Sequence, residues 1–522
     1  MTTAAAPQLA PQWTAVERSF TAAGTYANPY TDLHAWAEFV HDDGTRLHRP
    51  LFWDGQRVFK LRFASTHAEG TWRYTVHSAP VDGGLHGQSG SLTAAPATGQ
   101  GRFARHGFLR LSPRTHRNLL HADGKPFLLV GDTAWALPWR ASVDEARKYA
   151  DDRASKGFNA ALLMVVQPDM RAEGPEDRLL DGGFGRGFDD LPHGTLTRLR
   201  PDYFQYLDLL IAELHRRDLV PVYQPVFHGY GWKGLSTAGP VASEADLERF
   251  QRYLIARYGA APALWLVGGD GSGLFPNVEA AGLTCQREDA YGHPTGIHYG
   301  PNHSPLAHHD KPWLDFQWCQ TGHGAEHIPE RVMSMWLARP AKAVANGEPT
   351  YENMGATGRA AGWWQGHEAW CNLTAGGTMG VVYGAGSLWQ WRRHRNEPGH
   401  QDWCQAPDAG WEEALAFEGS RYVGLISRIF DGLDFDGMAP NWWFIYGGRG
   451  LEVPGKLYLL YRDDGAPFAV CDGRCPRNYR ILDPRTGDTL ARGRLPDHRD
   501  DQPAPQVNPV PGGPRVILFT AD

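Results

Sequence analysis

The chain has 522 residues, 42% hydrophobic and 21% charged, with a formal net charge of −7. That composition excludes a disordered chain, gives about three domains by length, and exerts no general pull toward nucleic acid or anionic membrane. No run approaches the roughly 18 apolar residues of a membrane span, and the N-terminus MTTAAAPQLAPQW carries no basic or apolar leader, so a soluble, cytoplasmic protein is expected unless a signal was removed before the numbering. The six Cys are scattered, and Cys471 and Cys475 read as two thiols in a turn rather than a zinc or disulfide pair. Twenty Trp, nineteen Tyr and twenty-two Phe make 12% aromatic residues, which suits either a large core or platforms for the C–H faces of sugars.

Residues 1–104 are expected to form an Ig-like β-sandwich. Short aromatic-rich runs (WAEFVH, RLHRPLFW, RVFKLRF, GTWRYTVHS) alternate there with DDG, DGQ and HAEG turns. The small-residue stretch TAAPATGQGRF marks the boundary.

From 105 to 432 the pattern changes. Eight apolar runs recur: PFLLVGDTAW, FNAALLMVVQ, LVPVYQPVFH, ALWLVGGD, PTGIHYG, LDFQWCQ, AKAVANGEP and MGVVYGAG. Between them lie helix-like segments with Ser or Asp caps, such as ASVDEARKYADDRASKG and SEADLERFQRYLIARYG. The expectation is an α/β protein built on a (β/α)8 TIM barrel. A doubly wound sheet would want a Gly-rich phosphate loop after its first strand, and that strand runs instead into GDTAW. Residues 433–522 (NWWFIYG, KLYLLYRD, PFAVCD, PRVILFT) return to β character as a small C-terminal β-sandwich.

In such a barrel, functional side chains sit where strands meet the loops of the C-terminal rim. The strand ends supply Asp132 and Trp135, Gln167, Gln224 and His228, Asp270, His298, Gln317 and His323, Glu348, and Trp389. Burying so many polar groups without partners costs a few kcal/mol each, about 2 or more, so a hydrogen-bonding ligand is implied. The carboxylates Asp270 and Glu348 stand out as a pair for glycoside hydrolysis, with an apolar wall of the Trp265 or Trp389 kind to raise the acid's pKa. Asp132 serves equally as a sugar contact or a cap, and carboxylates also reach strand ends by chance. His303 and the HHD at 308–310 lack a compact ligand spacing and read as a solvated loop, so no metal and no cofactor is expected.

FLLVGDTAWALPWRASVDEARKYADDRASKGFNAALLMVV resembles the opening of the apiosidase-like catalytic domain, glycoside hydrolase family 140 and its relatives. LWLVGGD and ANGEPTYEN resemble that group's fourth- and seventh-strand signatures, and the flanking β regions resemble domains that accompany such barrels. The resemblance implies a retaining glycosidase with Asp270 as acid/base and Glu348 as nucleophile. Glu352, four residues on in the departing loop, is the less favoured carboxylate and is taken as a substrate contact. The leading expectation is exo action on a plant or bacterial oligosaccharide or polysaccharide with release of a furanose; the sugar and its linkage, exo against endo action, and homo-oligomerisation stay open. The long loop at 171–194 is expected to reshape subsites without touching the chemistry. Transglycosylation or anhydro-sugar formation on the same barrel remains open, as does a catalytically silent carbohydrate-binding protein.

Overall fold

The computed structural model describes residues 8–521 except 169, 171–184, 230–235, 302, 304, 324–328, 355–360, 396, 398–408, 446–447 and 498–501. Most of the subsite loop at 171–194 therefore lies outside the described residues.

The eight apolar runs become eight parallel strands: β1 (Leu129–Asp132), β2 (Ala160–Met164), β3 (Val220–Gln224), β4 (Leu264–Gly271), β5 (Thr295–Tyr299), β6 (Phe316–Gln320), β7 (Ala343–Glu348) and β8 (Gly380–Tyr383). They are hydrogen-bonded in the order 7-6-5-4-3-2-1-8. Across the seam, Met379 N–H donates to Val344 O at 3.2 Å and brings the sheet close to a full barrel. The helices are α1 (Val143–Lys156), α2 (Pro201–His215), α3 (Glu244–Tyr258), α4 (Pro276–Glu288), α5 (Pro329–Leu337), α6 (Trp363–Thr374) and α7 (Gly419–Ile429). Helix α1 starts where its sequence says it should: Ser142 Oγ accepts from Glu145 N–H, and Glu145 returns the bond to Ser142 N–H.

The two-residue period of each strand sorts its side chains into two cores. Leu162, Val222, Leu266, Phe316, Trp318, Ala345 and Val382 fill the inside of the barrel. Val130, Leu163, Tyr223, Trp265, Ile297, Val344 and Tyr383 face outward to the helices. Full burial of each such side chain contributes roughly 1.5–3 kcal/mol before the entropy of ordering is subtracted. A three-stranded sheet absent from the sequence expectations (Leu109–Leu111, Leu119–His121, Pro126–Phe127) feeds directly into β1. Its Leu109, Leu119 and Phe127 join the inner core, so the barrel is plugged at its N-terminal end.

The N-terminal region pairs a five-stranded sheet with a three-stranded one, and the C-terminal region a six-stranded sheet with a two-stranded one. Arg62 and Arg257 both reach Asp208 of α2, and Arg257 also holds Asp54, which clamps the first sandwich to α2 and α3. NWWFIYG, expected as a strand, turns at 442–444 and makes a single β-bridge at Ile445, while 446–447 lie outside the described residues. Asn441 Oδ1 accepts from the N–H groups of Trp443 and Phe444, and this local bond wins over strand pairing. Cys471 and Cys475 are free thiols. Among the described residues no helix is long and apolar enough to cross a membrane.

Candidate active site

Asp270 and Glu348 both stand at irregularities in their strands. In β4, Gly269 pairs with His298 and Gly271 with Tyr299, leaving Asp270 as the extra residue of a bulge with φ 52°. In β7, Asn346 pairs with Cys319 and Glu348 with Gln320, so Gly347 is skipped. Bulges re-aim side chains at barrel rims. Each needs its glycine for a steric reason. A Cβ on Gly269 would overlap the Gln224 carboxamide, and one on Gly347 would stand 2.7 Å from the Trp318 ring. The result is convergence: one oxygen of Asp270, one of Glu348 and a ring nitrogen of His298 lie within 4.8 Å of one another. The two carboxylates are only 8% and 9% exposed.

Glu348 is held from two sides. His298 Nε2 donates to Oε2 at 3.1 Å and His323 Nε2 to Oε1 at 3.2 Å. Burial works against its charge, but the two histidines outweigh burial and keep the carboxyl well below the usual carboxylate range. Asn346 Oδ1 accepts the Glu348 N–H at 3.3 Å. Tyr351, not singled out in the sequence, accepts from Trp135 Nε1 at 2.8 Å and lies under the His323 ring at 4.3 Å. The signal was its place three residues beyond Glu348 in NGEPTYEN.

Glu368 on α6 was also missed, because nothing in WWQGHEAW marks it as chemically special. It is buried and accepts from Thr350 N–H and Thr321 Oγ1, and Thr321 Oγ1 in turn accepts from Asn346. Burial pushes its carboxyl up to about 7, against those hydrogen bonds, from an ordinary value of 4.5. Between these values the folded chain keeps a proton that the unfolded chain has lost. The group's stabilising contribution is therefore complete below pH 4.5 and fades as the pH rises through 7. Glu368→Gln is expected to unfold at higher denaturant than the parent at pH 8, by ~1–3 kcal/mol, and to match it near pH 4.5.

The other predicted residues divide by strand parity. Gln224 faces inward, and both polar atoms of its buried carboxamide lack a hydrogen-bond partner among the described residues. His298 and Trp135 stand together at 5.6 Å between rings, and Trp389, half-buried, lies 6.3 Å from Tyr351. Gln167 is buried just beyond β2. His228 is engaged on both nitrogens: Nδ1 accepts from Gly269 N–H, and Nε2 donates to Asn277 Oδ1 at 3.3 Å. Burial lowers its pKa to about 4, so it is neutral at physiological pH.

Asp132 and Gln317 point outward. Asp132 pairs with Arg153 of α1 at 2.5 Å, and Gln317 donates to Ala307 O at 3.1 Å. Glu352 accepts from Tyr383 Oη at 2.6 Å and from the N–H groups of Gly362 and Gly419. Trp265, considered as a wall for the acid, is also outward-facing and stacks on Tyr223 in the layer beneath the helices. In the HHD loop, where His303 and Asp310 are exposed, His308 and His309 hydrogen-bond the carbonyls of Gly273 and Pro340. By donor type, Asp270, His298 and Glu348 could also hold a divalent cation, and His41, Asp43 and His67 form a second such set on the N-terminal sandwich.

A plugged (β/α)8 barrel with two converging carboxylates at its open rim has the fold of a glycoside hydrolase. Residues 113–436 match the family described as apiosidase-like, catalytic domain, and residues 10–79 match a domain of unknown function, DUF5060. The first match spans more than half of the sequence: the chain belongs to the apiosidase-like catalytic-domain family. No curated protein matches it by sequence. Among solved structures, a putative glycoside hydrolase from Bacteroides vulgatus ATCC 8482 is 18% identical with a TM-score of 0.71, covering 98% of this chain and 100% of that one. A glycoside hydrolase of family 5 from the same organism is 19% identical with a TM-score of 0.63, covering 80% of this chain and 94% of that one. At these identities the likeness is one of fold.

Proposed function

We propose that the chain is a retaining glycoside hydrolase in which Glu348 is the nucleophile and Asp270 the acid/base. The observation that carries the reading is the approach of the two rim carboxylates to within 4.8 Å between oxygens. Retaining enzymes hold their carboxyl groups about 5–5.5 Å apart, whereas inverting ones keep about 6.5–9.5 Å to admit a water. Glu348, ionised and oriented by His298 and His323, attacks the anomeric carbon. Asp270 gives its proton to the leaving glycosidic oxygen as that bond breaks. In the second half, Asp270 takes a proton from water as the water oxygen displaces Glu348 and releases the sugar. The buried carboxamide of Gln224 beside Gly269 suits a sugar hydroxyl, which can both donate and accept. The family description contains the word apiosidase, which supports a furanose as the released sugar; a plant or bacterial oligosaccharide is the source we propose.

The test follows the first-formed anomer by NMR on a panel of aryl glycosides, alongside Asp270→Asn. Retention of configuration is expected. So is a loss of about 10²–10⁴-fold in kcat with poor leaving groups, shrinking as the leaving group needs less protonation. Inversion, or an Asp270→Asn variant as fast as the parent on every leaving group, would sink the assignment.

A further inference from the structure

The N-terminal sandwich carries a cluster that the barrel chemistry does not use. His41 ends the strand His34–His41, Asp43 lies in the turn after it, and His67 lies in the turn before the strand Thr71–Ala79. His41 Nδ1 is 2.9 Å from one Asp43 oxygen, and His67 Nε2 is 2.9 Å from the other. One donor atom from each residue falls within 4.8 Å of the other two.

The orientation of His41 is fixed from behind. Its Nε2 is 2.9 Å from the carbonyl oxygen of Glu69, and a carbonyl can only accept, so that nitrogen carries the ring proton. In the neutral ring Nδ1 then presents a lone pair, and the Asp43 N–H approaches it at 3.3 Å as it would an acceptor. That lone pair faces a carboxylate, a contact that is relieved either by a second ring proton, which makes His41 an imidazolium paired with Asp43, or by a bound cation. An imidazole anchored through one nitrogen to a carbonyl, with the other aimed at a shared centre, is how metal-ligating histidines are held. The second ring is anchored in a related way, by His67 Nδ1 at 2.9 Å from Thr66 Oγ1, and the two rings stack at 4.1 Å.

We propose that His41, Asp43 and His67 bind one divalent transition-metal ion of the zinc class. Two imidazoles and one carboxylate favour such an ion over Mg²⁺ or Ca²⁺, which seek oxygen ligands throughout. In tetrahedral zinc sites neighbouring ligand atoms stand about 3.3 Å apart; here each histidine lies 2.9 Å from a different Asp43 oxygen and one donor atom from each residue falls within 4.8 Å of the others, so side-chain rotation would bring the three onto one ion. His41 is buried while Asp43 is 51% exposed, which leaves a fourth position on the solvent side for water. The ion would tie together two turns whose contacting residues, Asp43 and His67, are 24 positions apart. Its role is to brace the sandwich.

The experiment titrates ZnCl₂ into the chelator-stripped full chain by calorimetry, in parallel with Asp43→Asn and His67→Gln, both at solvent-accessible positions. One zinc per chain is expected in the parent, with affinity at least about tenfold weaker in each variant. Zinc should also raise the melting temperature of the parent and not of the variants, while Mg²⁺ and Ca²⁺ do nothing. The proposal is overturned if the parent takes up no stoichiometric zinc. It is equally overturned if both variants bind zinc as the parent does, because the uptake then belongs to other histidines.

Discussion

Glu348→Gln is expected to reduce kcat on the order of 10⁴-fold or more on any glycoside the parent cleaves, with little change in melting temperature. The amide keeps the shape of the side chain and still accepts from one histidine, but it cannot form the covalent intermediate. Glu352→Gln is the informative companion. Its carboxylate is occupied by Tyr383, Gly362 and Gly419, so its loss should appear mainly as destabilisation. Steady-state rates and thermal melts of the two variants together decide the assignment. A fast Glu348→Gln with a dead but stable Glu352→Gln would transfer the role to Glu352.

The second large effect concerns the GDTAW block. Asp132→Ala removes the buried partner of Arg153, whose guanidinium is also ringed by Tyr149, Phe158 and Tyr383. Stranding a buried charge costs about 3–5 kcal/mol, and Asp152 at 2.5 Å from Arg153 offsets part of that. A loss of roughly 3 kcal/mol in denaturant unfolding is expected, with KM unchanged in whatever folded fraction remains. A stable variant with raised KM would instead make Asp132 a sugar ligand.

The barrel was legible because its strands are buried on both faces, and an apolar run between capped helices has few other readings. The rim was legible only in part. Taking the last polar residue of each strand ignores which way it points. Asp132 and Gln317 alternate with barrel-filling neighbours and turn to the helices, whereas Gln224 and His298 stand on the barrel-filling side of their strands and turn inward. The convergence of Asp270 with Glu348 depends on bulges at Gly269–Gly271 and across Gly347, and a bulge alters register without altering composition. GGD and NGE were visible as text, but the shift they produce was not. Glu368 was invisible for a different reason: its perturbed carboxyl arises from burial against β7, a contact between segments that no local pattern encodes.

Asp270 occupies a left-handed backbone conformation that glycine adopts freely and that other residues hold only at a cost of order 1 kcal/mol or more. On the proposed acid/base role, stability and chemistry pull in opposite directions at a single codon. In a lineage released from the need to cleave sugars, drift toward glycine at 270 would be favoured on folding grounds alone. A relative reading GGGG where this chain reads GGDG would carry the mark of an enzyme turned binding protein. The aspartate persists here against that slope.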